Sequence, residues 1–224
     1  MKIDILTLFP NMFTGFLSES IIKRAIESEK VEINIIDFRK YTKLNNNQVD
    51  DTAFGGGAGM VIMCDPIVSA IEDIKTPDSH IILLDPKGKL YKQSKAKEYS
   101  KYKHLILICG HYEGIDERIK HFVDEVVGIG DYVLTGGELP AMIIADSVIR
   151  LLPGVITSDS LDSESFNDNL LDYPVYTKPR SYRGYEVPEV LLSGDHKKIN
   201  EYRQNERLRL TKENRLELLE DYHE

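Results

Sequence analysis

Five short apolar segments constrain the fold of this chain more strongly than any other feature of its sequence. They are rich in β-branched residues, and most are followed directly by proline, glycine or aspartate, which is typical of strands. The segments are 2–9, 31–38, 80–84, 105–109 and 123–129. Stretches with helical periodicity separate them, as at Ile67, Ala70, Ile71 and Ile74. Strands that alternate with helices predict an α/β domain with a parallel sheet.

The predicted helices fill the segments between and after these strands. Ser18 or Ser20 is a suitable N-cap for the first, and Asp65 followed by Pro66 suits the start of the next. The last strand-forming region is followed by helix 138–152, which is apolar almost all round, so we expect it to be buried in a core or against another subunit. The other predicted helices cover 92–102, 115–122, 200–210 and 212–222, and residues 85–88 are predicted to be a loop.

The composition predicts a cytoplasmic, non-membrane protein. The N-terminus turns polar too soon for a secretory signal, and no apolar run has the length of a membrane span. Cys64 and Cys109 lie in apolar runs, as buried reduced thiols do, and no Cys/His spacing suggests zinc. With 224 residues, we expect a sheet domain (1–154), a linker rich in Ser, Asp and Asn (155–175) and a small helical domain (176–224).

Charge gives an ambiguous indication of the partner. A net charge of −9 argues mildly against nucleic acid, yet residues 176–215 carry ten Lys and Arg against six Asp and Glu. Such a segment is compatible with a phosphate-bearing partner and equally with a solvated helical face. The same two interpretations apply to Lys178, Arg180, Tyr182 and Arg183, which mix cations with aromatic rings.

Glycine-rich loops follow several of the predicted strands. Strands 105–109 and 123–129 both end in glycine, and Gly136-Gly137 follows, so we expect backbone amides to approach a cofactor there. The loop 54–60 lacks the Lys and Ser/Thr of a phosphate-binding loop and is either flexible or a backbone surface for a flat ligand such as a base. Gly128-Ile129-Gly130 lacks the third glycine of a dinucleotide fingerprint but can bind an adenosine through backbone groups.

The roles of the charged residues that follow these loops in the sequence have two interpretations each. Arg150 lies in the predicted apolar helix, where it either pairs with Asp146 one turn earlier or stabilises negative charge on a substrate. The linker carboxylates either are solvated or take part in chemistry. They are Asp159, Asp162, Glu164, Asp168 and Asp172.

Several long motifs together resemble one family over nearly the whole chain. They include VDDTAFGGGAGM, CGHYEGIDERI, IGDYVLTGGELPAMIIADSVIRLLPGV and EVPEVLLSGDH. In these motifs the chain is similar to the bacterial TrmD family of tRNA (guanine-N1)-methyltransferases. The resemblance implies a SPOUT-type α/β domain with a deep trefoil knot, a homodimer with interfacial active sites, S-adenosylmethionine as cofactor and dependence on Mg²⁺ at an unknown site. It also implies methylation of N1 of the guanine at tRNA position 37, 3′ of the anticodon, which supports reading-frame maintenance.

The resemblance also implies roles for individual residues. Arg150 matches the family's catalytic arginine, while tRNA binding is expected of Gly55, Gly56, Gly57, Asp172, Lys178 and Arg180. The expected cofactor-binding residues are Leu84, Pro86, Gly110, Tyr112, Glu113, Ile129, Gly130, Asp131, Tyr132, Val133, Leu134, Gly136 and Gly137.

Glu164 is the main departure from the family pattern. It stands before Ser165-Phe166, where the family has an aspartate proposed as the general base; the residues at His111 and Asn169 also differ from commoner ones. A carboxylate can take the N1 proton of guanine, and the charge then spreads to O6, where Arg150 can stabilise it.

Two other functional classes are alternatives to a methyltransferase. An RNA-binding protein that kept the fold but lost catalysis would bind S-adenosylmethionine without transferring methyl. A nucleotide-dependent enzyme acting on a small substrate through the Gly128 loop would bind NAD instead.

Overall fold

The computed structural model describes residues 1–157, 164–166 and 168–221. The chain divides into two compact units, Met1–Ile156 and Thr157–Glu224. The first contains a five-stranded sheet in the order β2-β1-β6-β5-β7, with every neighbouring pair parallel. The predicted parallel α/β sheet is therefore confirmed. The strands of the first unit are β1 (Lys2–Thr7), β2 (Glu32–Asp37), the short antiparallel pair β3 (Asp50–Asp51) and β4 (Val61–Ile62), β5 (Ser79–Leu90), β6 (His104–Cys109) and β7 (Glu125–Gly128).

Helices cover both faces of this sheet. They are α1 (Thr14–Ser18), α2 (Ser20–Glu27), α3 (Cys64–Ile74), α4 (Gln93–Tyr99) and α5 (Glu138–Ile149), with short 3₁₀ turns at Pro10–Phe13, Phe38–Tyr41, Asn45–Asn47 and Glu117–His121. Alternate strand residues point to opposite faces. Ile3 and Leu105 therefore pack in the layer that holds α5, while Leu6 and Ile106 pack in the layer that holds α3.

Strand β5 differs from the prediction because it does not end at Leu84. It continues to Leu90, and residues 85–88 are an insertion between two registers, since Leu84 and Lys89 both pair with Val127. The chain leaves the ladder after Leu84, detours by four residues and rejoins it at Lys89, opposite the same residue of β7. The predicted loop 85–88 is thus a bulge inside one strand.

The predicted helix caps and the helix 115–122 were also wrong. Helix α3 begins at Cys64 with Met63 as N-cap, and the Asp65 carboxylate instead accepts a hydrogen bond from Lys43 at 3.2 Å. Neither predicted serine caps α2, whose N-cap is Glu19. Segment 115–122 makes only the 3₁₀ turn 117–121, because Asp116 accepts from the Arg118 amide at 3.0 Å and tightens the chain there.

The second unit contains one long helix where two were predicted. This C-terminal helix spans His196–Asn214 and is followed by a 3₁₀ turn at Leu216–Asp221. Thr211 continues the helix, since its hydroxyl donates to the Arg207 carbonyl at 2.7 Å and accepts from the Leu171 amide at 2.9 Å. A hairpin pairs Ser181–Tyr182 with Tyr185–Glu186, and Glu189–Leu192 forms a single helical turn. No helix in the described part of the chain is long and apolar enough to cross a membrane.

Candidate active site

A cavity of about 300 Å³ lies between the bulge of β5 and the carboxyl ends of β6 and β7. Three loops form its walls: residues 83–87, residues 110–115, and residues 127–137 apart from Asp131, with Pro140 behind them. In parallel α/β sheets the carboxyl ends of the strands are the usual ligand-binding edge. The volume is at the lower end of the range of small-molecule sites.

The cavity collects almost all of the predicted cofactor-binding residues. The wall contains Leu84, Pro86, Gly110, Tyr112, Glu113, Ile129, Gly130, Tyr132, Val133, Leu134, Gly136 and Gly137. Asp131 is exposed beside them and is not part of the wall. The geometry thus brings the set together, while its contact with a cofactor stays a prediction.

The loops around the cavity pack backbone against backbone. The Gly137 amide donates to the Gly110 carbonyl at 2.9 Å, and a Cβ at position 137 would lie 2.6 Å from the Cys109 Cα. A Cβ on Gly88 would lie 2.4 Å from the Val127 amide nitrogen. Such distances leave no room for a side chain, so glycine is required at both positions.

Neither cysteine is suited to nucleophilic catalysis. Burial raises the pKa of the Cys109 thiol well above its ordinary value and that of Cys64 to about 11. Both thiols are therefore protonated near neutral pH, whereas the thiolate is the reactive form.

The predicted catalytic arginine lies at the end of helix α5. Arg150 is its C-cap residue and is half-buried, so it lies at the end of the helix and not within it as predicted. Its amide donates to the Asp146 carbonyl at 3.1 Å, while the Asp146 side chain is exposed. Arg150 lies outside the helix because α5 ends at Ile149, three residues earlier than the predicted end at residue 152.

The linker carboxylates fall into different environments. Glu164 and Asp172 are half-buried, and the Asp172 carboxylate accepts from the Tyr173 amide at 2.7 Å. Asp168 pairs with buried Arg207, with Nη1 to Oδ2 at 2.8 Å. Although burial raises it, the hydrogen bonds from Arg207 hold the pKa of Asp168 below its ordinary value, so Asp168 is a structural anion. Asp159 and Asp162 lie outside the described residues.

The glycine-rich loop 54–60 projects close to the cavity. Gly55, Gly56 and Gly57 have φ of +89°, +80° and +125° and no neighbouring atoms where a Cβ would be. Its base is tied to the cavity loop, because the Glu113 amide donates to the Met60 carbonyl at 3.1 Å and the Ile62 amide to the Gly114 carbonyl at 3.0 Å. This position favours a ligand-facing backbone surface over an unrelated flexible loop.

The predicted basic residues of the second unit lie on its surface. Lys178 and Arg180 are exposed, and Arg180 pairs with exposed Glu189 at 3.1 Å. The adjoining hairpin turns at Arg183 and Gly184, both with positive φ, and presents Tyr182 and Tyr185, 60% and 81% exposed. Exposed rings and cations suit contact with single-stranded nucleic acid.

One group of hydrogen-bonded side chains next to the cavity was not predicted from the sequence. Thr7, His111 and Glu138 form a hydrogen-bonded set behind the wall. The three positions are far apart along the chain, so no spacing connects them. The available signal was a glutamate that opens an otherwise apolar helix.

The whole chain is similar to one group of known proteins. Residues 1–221 match the family described as tRNA (Guanine-1)-methyltransferase TrmD. Relatives named tRNA (guanine-N(1)-)-methyltransferase include those of Malacoplasma penetrans, 56% identical over 99% of this chain and 98% of the relative, and of Ureaplasma urealyticum, 56% identical with the same coverage. The Listeria welshimeri protein is 51% identical over 99% of this chain and 93% of its own length.

Proposed function

Because the chain belongs to the TrmD family of tRNA (guanine-N1)-methyltransferases, we propose that it methylates the guanine at tRNA position 37, 3′ of the anticodon, and so supports reading-frame maintenance. The resemblance drawn from the sequence is confirmed, and so is the class of enzyme. The observation that carries the proposal is a cavity that gathers all but one of the predicted cofactor-binding residues.

Use of S-adenosylmethionine follows from the family, and we assign its binding to the cavity. The residues fit such a ligand, since glycine backbones border the cavity with apolar side chains such as Leu84, Ile129 and Leu134. Neutral, flat groups of an adenosine suit such a surface. When bound, the cofactor supplies an electrophilic sulfonium methyl group.

Two side chains are assigned to the chemistry. Glu164 takes the proton from guanine N1, which makes that nitrogen nucleophilic toward the methyl group. Arg150 stabilises the negative charge that develops on O6. Both are half-buried, which limits water near them without removing them from the surface. Among the described linker residues, the Asp172 carboxylate is an alternative base.

The tRNA is assigned to the glycine-rich loop and to the second unit. Gly55, Gly56 and Gly57 offer an open backbone surface beside the cavity, and Lys178 and Arg180 offer exposed cations. Asp172 belongs to the same set. We assign residues 1–154 to the cofactor-binding domain, 155–175 to a linker carrying active-site residues, and 176–224 to a small tRNA-binding domain.

The trefoil knot, the homodimer and the cytoplasmic location remain parts of the proposal. The close packing of Gly88 on Val127 and of Gly137 on Cys109 brings the three loops together, as a knotted arrangement requires. Exposed Leu139 and Ile143 on α5 support a self-association surface. The cytoplasm is where tRNA substrates are found.

Magnesium is implied by the family, but the residues give it no evident site. Within 1–157, 164–166 and 168–221, no group of three or more His, Cys, Asp or Glu could hold a metal ion. No step is therefore assigned to the ion. Titration of the methylation rate with a chelator and then with Mg²⁺ measures whether the reaction depends on it.

The testing experiment is methyl transfer from labelled S-adenosylmethionine to tRNA transcripts with guanine or adenine at position 37. We expect label only in the guanine transcript and N1-methylguanine in its digest. Label in the adenine transcript, or at another guanine, would contradict the assigned position.

A further inference from the structure

A buried carboxylate lies directly behind the cavity wall. Glu138, the first residue of α5, is 1% exposed. Its Oε1 accepts a hydrogen bond from the Thr7 hydroxyl at 2.7 Å, and its Oε2 lies 2.7 Å from His111 Nε2. Only His111 of these three residues reaches the cavity wall. Glu138 thus acts on the cavity through His111.

The hydrogen bonds assign the proton between His111 and Glu138. With Glu138 as a carboxylate, which only accepts, we assign a proton to His111 Nε2 in this contact. A hydrogen bond to a charged carboxylate is stronger than one between neutral groups. The first turn of a helix also favours a negative charge. The pair is therefore a stable tether between α5 and the loop that follows β6.

Two loops of the cavity wall and the end of β1 meet at this pair. A Cβ on Gly136 would lie 2.1 Å from His111 Nε2 and 2.6 Å from Glu138 Oε2, so loop 129–137 closes directly over it. The Phe9 ring lies 4.5 Å from the His111 ring, and the Phe9 amide donates to the Thr7 hydroxyl at 2.8 Å. The end of β1 and both glycine loops are thus held by one carboxylate.

We propose that Glu138 is a positioning residue that fixes His111, and with it the loop 110–114, in the conformation that binds the cofactor. The inference rests on the proposed binding of S-adenosylmethionine in this cavity. It predicts that loss of the tether weakens cofactor binding much more than it slows methyl transfer at saturating cofactor.

The test compares His111→Ala, His111→Gln and Glu138→Gln by calorimetric titration with S-adenosylmethionine and by single-turnover methylation of tRNA. We expect His111→Ala and Glu138→Gln to raise the cofactor Kd about 10- to 100-fold, the scale of a lost hydrogen bond to a charged group. His111→Gln keeps an N–H near the position of Nε2 and is expected to restore the Kd to within about threefold of the unsubstituted enzyme. The rate at saturating cofactor should change less than the Kd in each case.

The chain offers a matched control at the amino ends of the strands, away from the cavity. Asp4, fully buried, lies 2.9 Å from His104 Nε2 at the amino ends of β1 and β6. Asp4→Asn disrupts a comparable pair away from the cavity, so it should lower the melting temperature and leave the cofactor Kd unchanged.

The outcomes separate the inference from the proposed function. A cofactor Kd for His111→Ala equal to that of the unsubstituted enzyme overturns the positioning role, and so does an equal rise in the Asp4→Asn control. Failure of the unsubstituted enzyme to bind S-adenosylmethionine overturns the proposed function instead. If Glu138→Gln does not fold, the comparison of His111→Ala with His111→Gln decides alone.

Discussion

Gly88 shows how a single residue controls the assembly of the cavity. We predict that Gly88→Ala destabilises the protein by about 1–3 kcal/mol or more, the range for overpacking, because the new methyl group would meet the Val126 and Val127 backbone. Urea unfolding measures the change. The control is Gly15→Ala in α1, where a Cβ meets open space, and we expect stabilisation of about 0.5–1 kcal/mol. Equal stability of the two variants would contradict the close packing of β5 on β7.

Glu164 allows a second test at this scale. We predict that Glu164→Gln lowers the single-turnover methylation rate by roughly 10²–10⁴-fold, the usual contribution of a general base, with the cofactor Kd unchanged. Glu164→Asp keeps the carboxylate and restores the residue of the family pattern, so it should retain most of the rate. Full activity of Glu164→Gln would exclude this base and direct attention to Asp172.

Single residues also show what could be predicted from the sequence. The glycines at the cavity were predictable. Glycine has no side chain, so glycine clusters after strands indicate places where backbones approach closely. The pairs Glu138–Thr7 and Arg207–Asp168 were not, since their members are 131 and 39 residues apart and meet only in the folded chain.

Helix α5 is the element with the clearest mismatch between composition and environment. It is apolar on most sides, yet Leu139 and Ile143 are 49% and 45% exposed. We predict that Ile143→Glu converts a homodimer into monomers, with a dimer Kd raised at least about 30-fold if Ile143 is a central contact of 2 kcal/mol or more. Sedimentation velocity measures the change.

The matched control for this surface is Leu44→Glu. Leu44 is 49% exposed in another part of the first unit. It should leave the sedimentation coefficient unchanged. A monomeric unsubstituted protein, or dissociation by both variants, would contradict a dimer through α5.

Elements were predicted well where the signal is local. The five strands of the sheet were predicted nearly at their true positions, because an unbroken apolar run indicates a buried strand whichever strand it pairs with. Helix ends were less accurate, since Asp65 binds Lys43 instead of the helix amides. The continuation of β5 past Leu84 depends on pairing with β7, which no local pattern records.

Tyrosines that are buried or half-buried give the whole molecule a predictable response to alkali. Burial raises the pKa of Tyr91 to about 12, and that of Tyr202 to about 12. Burial and the hydrogen bond to Glu125 also raise the pKa of Tyr99. Because the folded pKa exceeds the unfolded value of about 10, the contribution to stability is complete below pH 10 and is lost as the pH rises toward 12.

We therefore predict that the free energy of unfolding falls steeply from about pH 10 upward and that Tyr91→Phe makes this fall shallower. Urea unfolding at a series of pH values measures both slopes. Tyr185→Phe, at a tyrosine that is 81% exposed, is the control and should keep the original slope. An unchanged slope in Tyr91→Phe would contradict the assignment.

The arrangement of the whole molecule was predictable only in part. Alternating strands and helices were enough to indicate a parallel sheet. The order of the strands in the sheet was not predictable. Ile3 of β1 lies beside Ile33 and Leu105, and the other apolar strands of this sequence have the same pattern and could have taken those places. The knot was expected only through the resemblance, since threading leaves no periodic trace in a sequence.

The pairing of β1 with β6 has a consequence for synthesis on the ribosome. Ile3 lies beside Leu105. The ribosome therefore adds about a hundred residues after β1 before β6, the second neighbour of β1 in the sheet, has been synthesised. At synthesis rates of about 5–20 residues per second this interval is roughly 5–20 s. During that time one edge of an apolar strand stays open to pairing with other chains. We expect the nascent chain to depend on chaperones until Cys109 has left the exit tunnel.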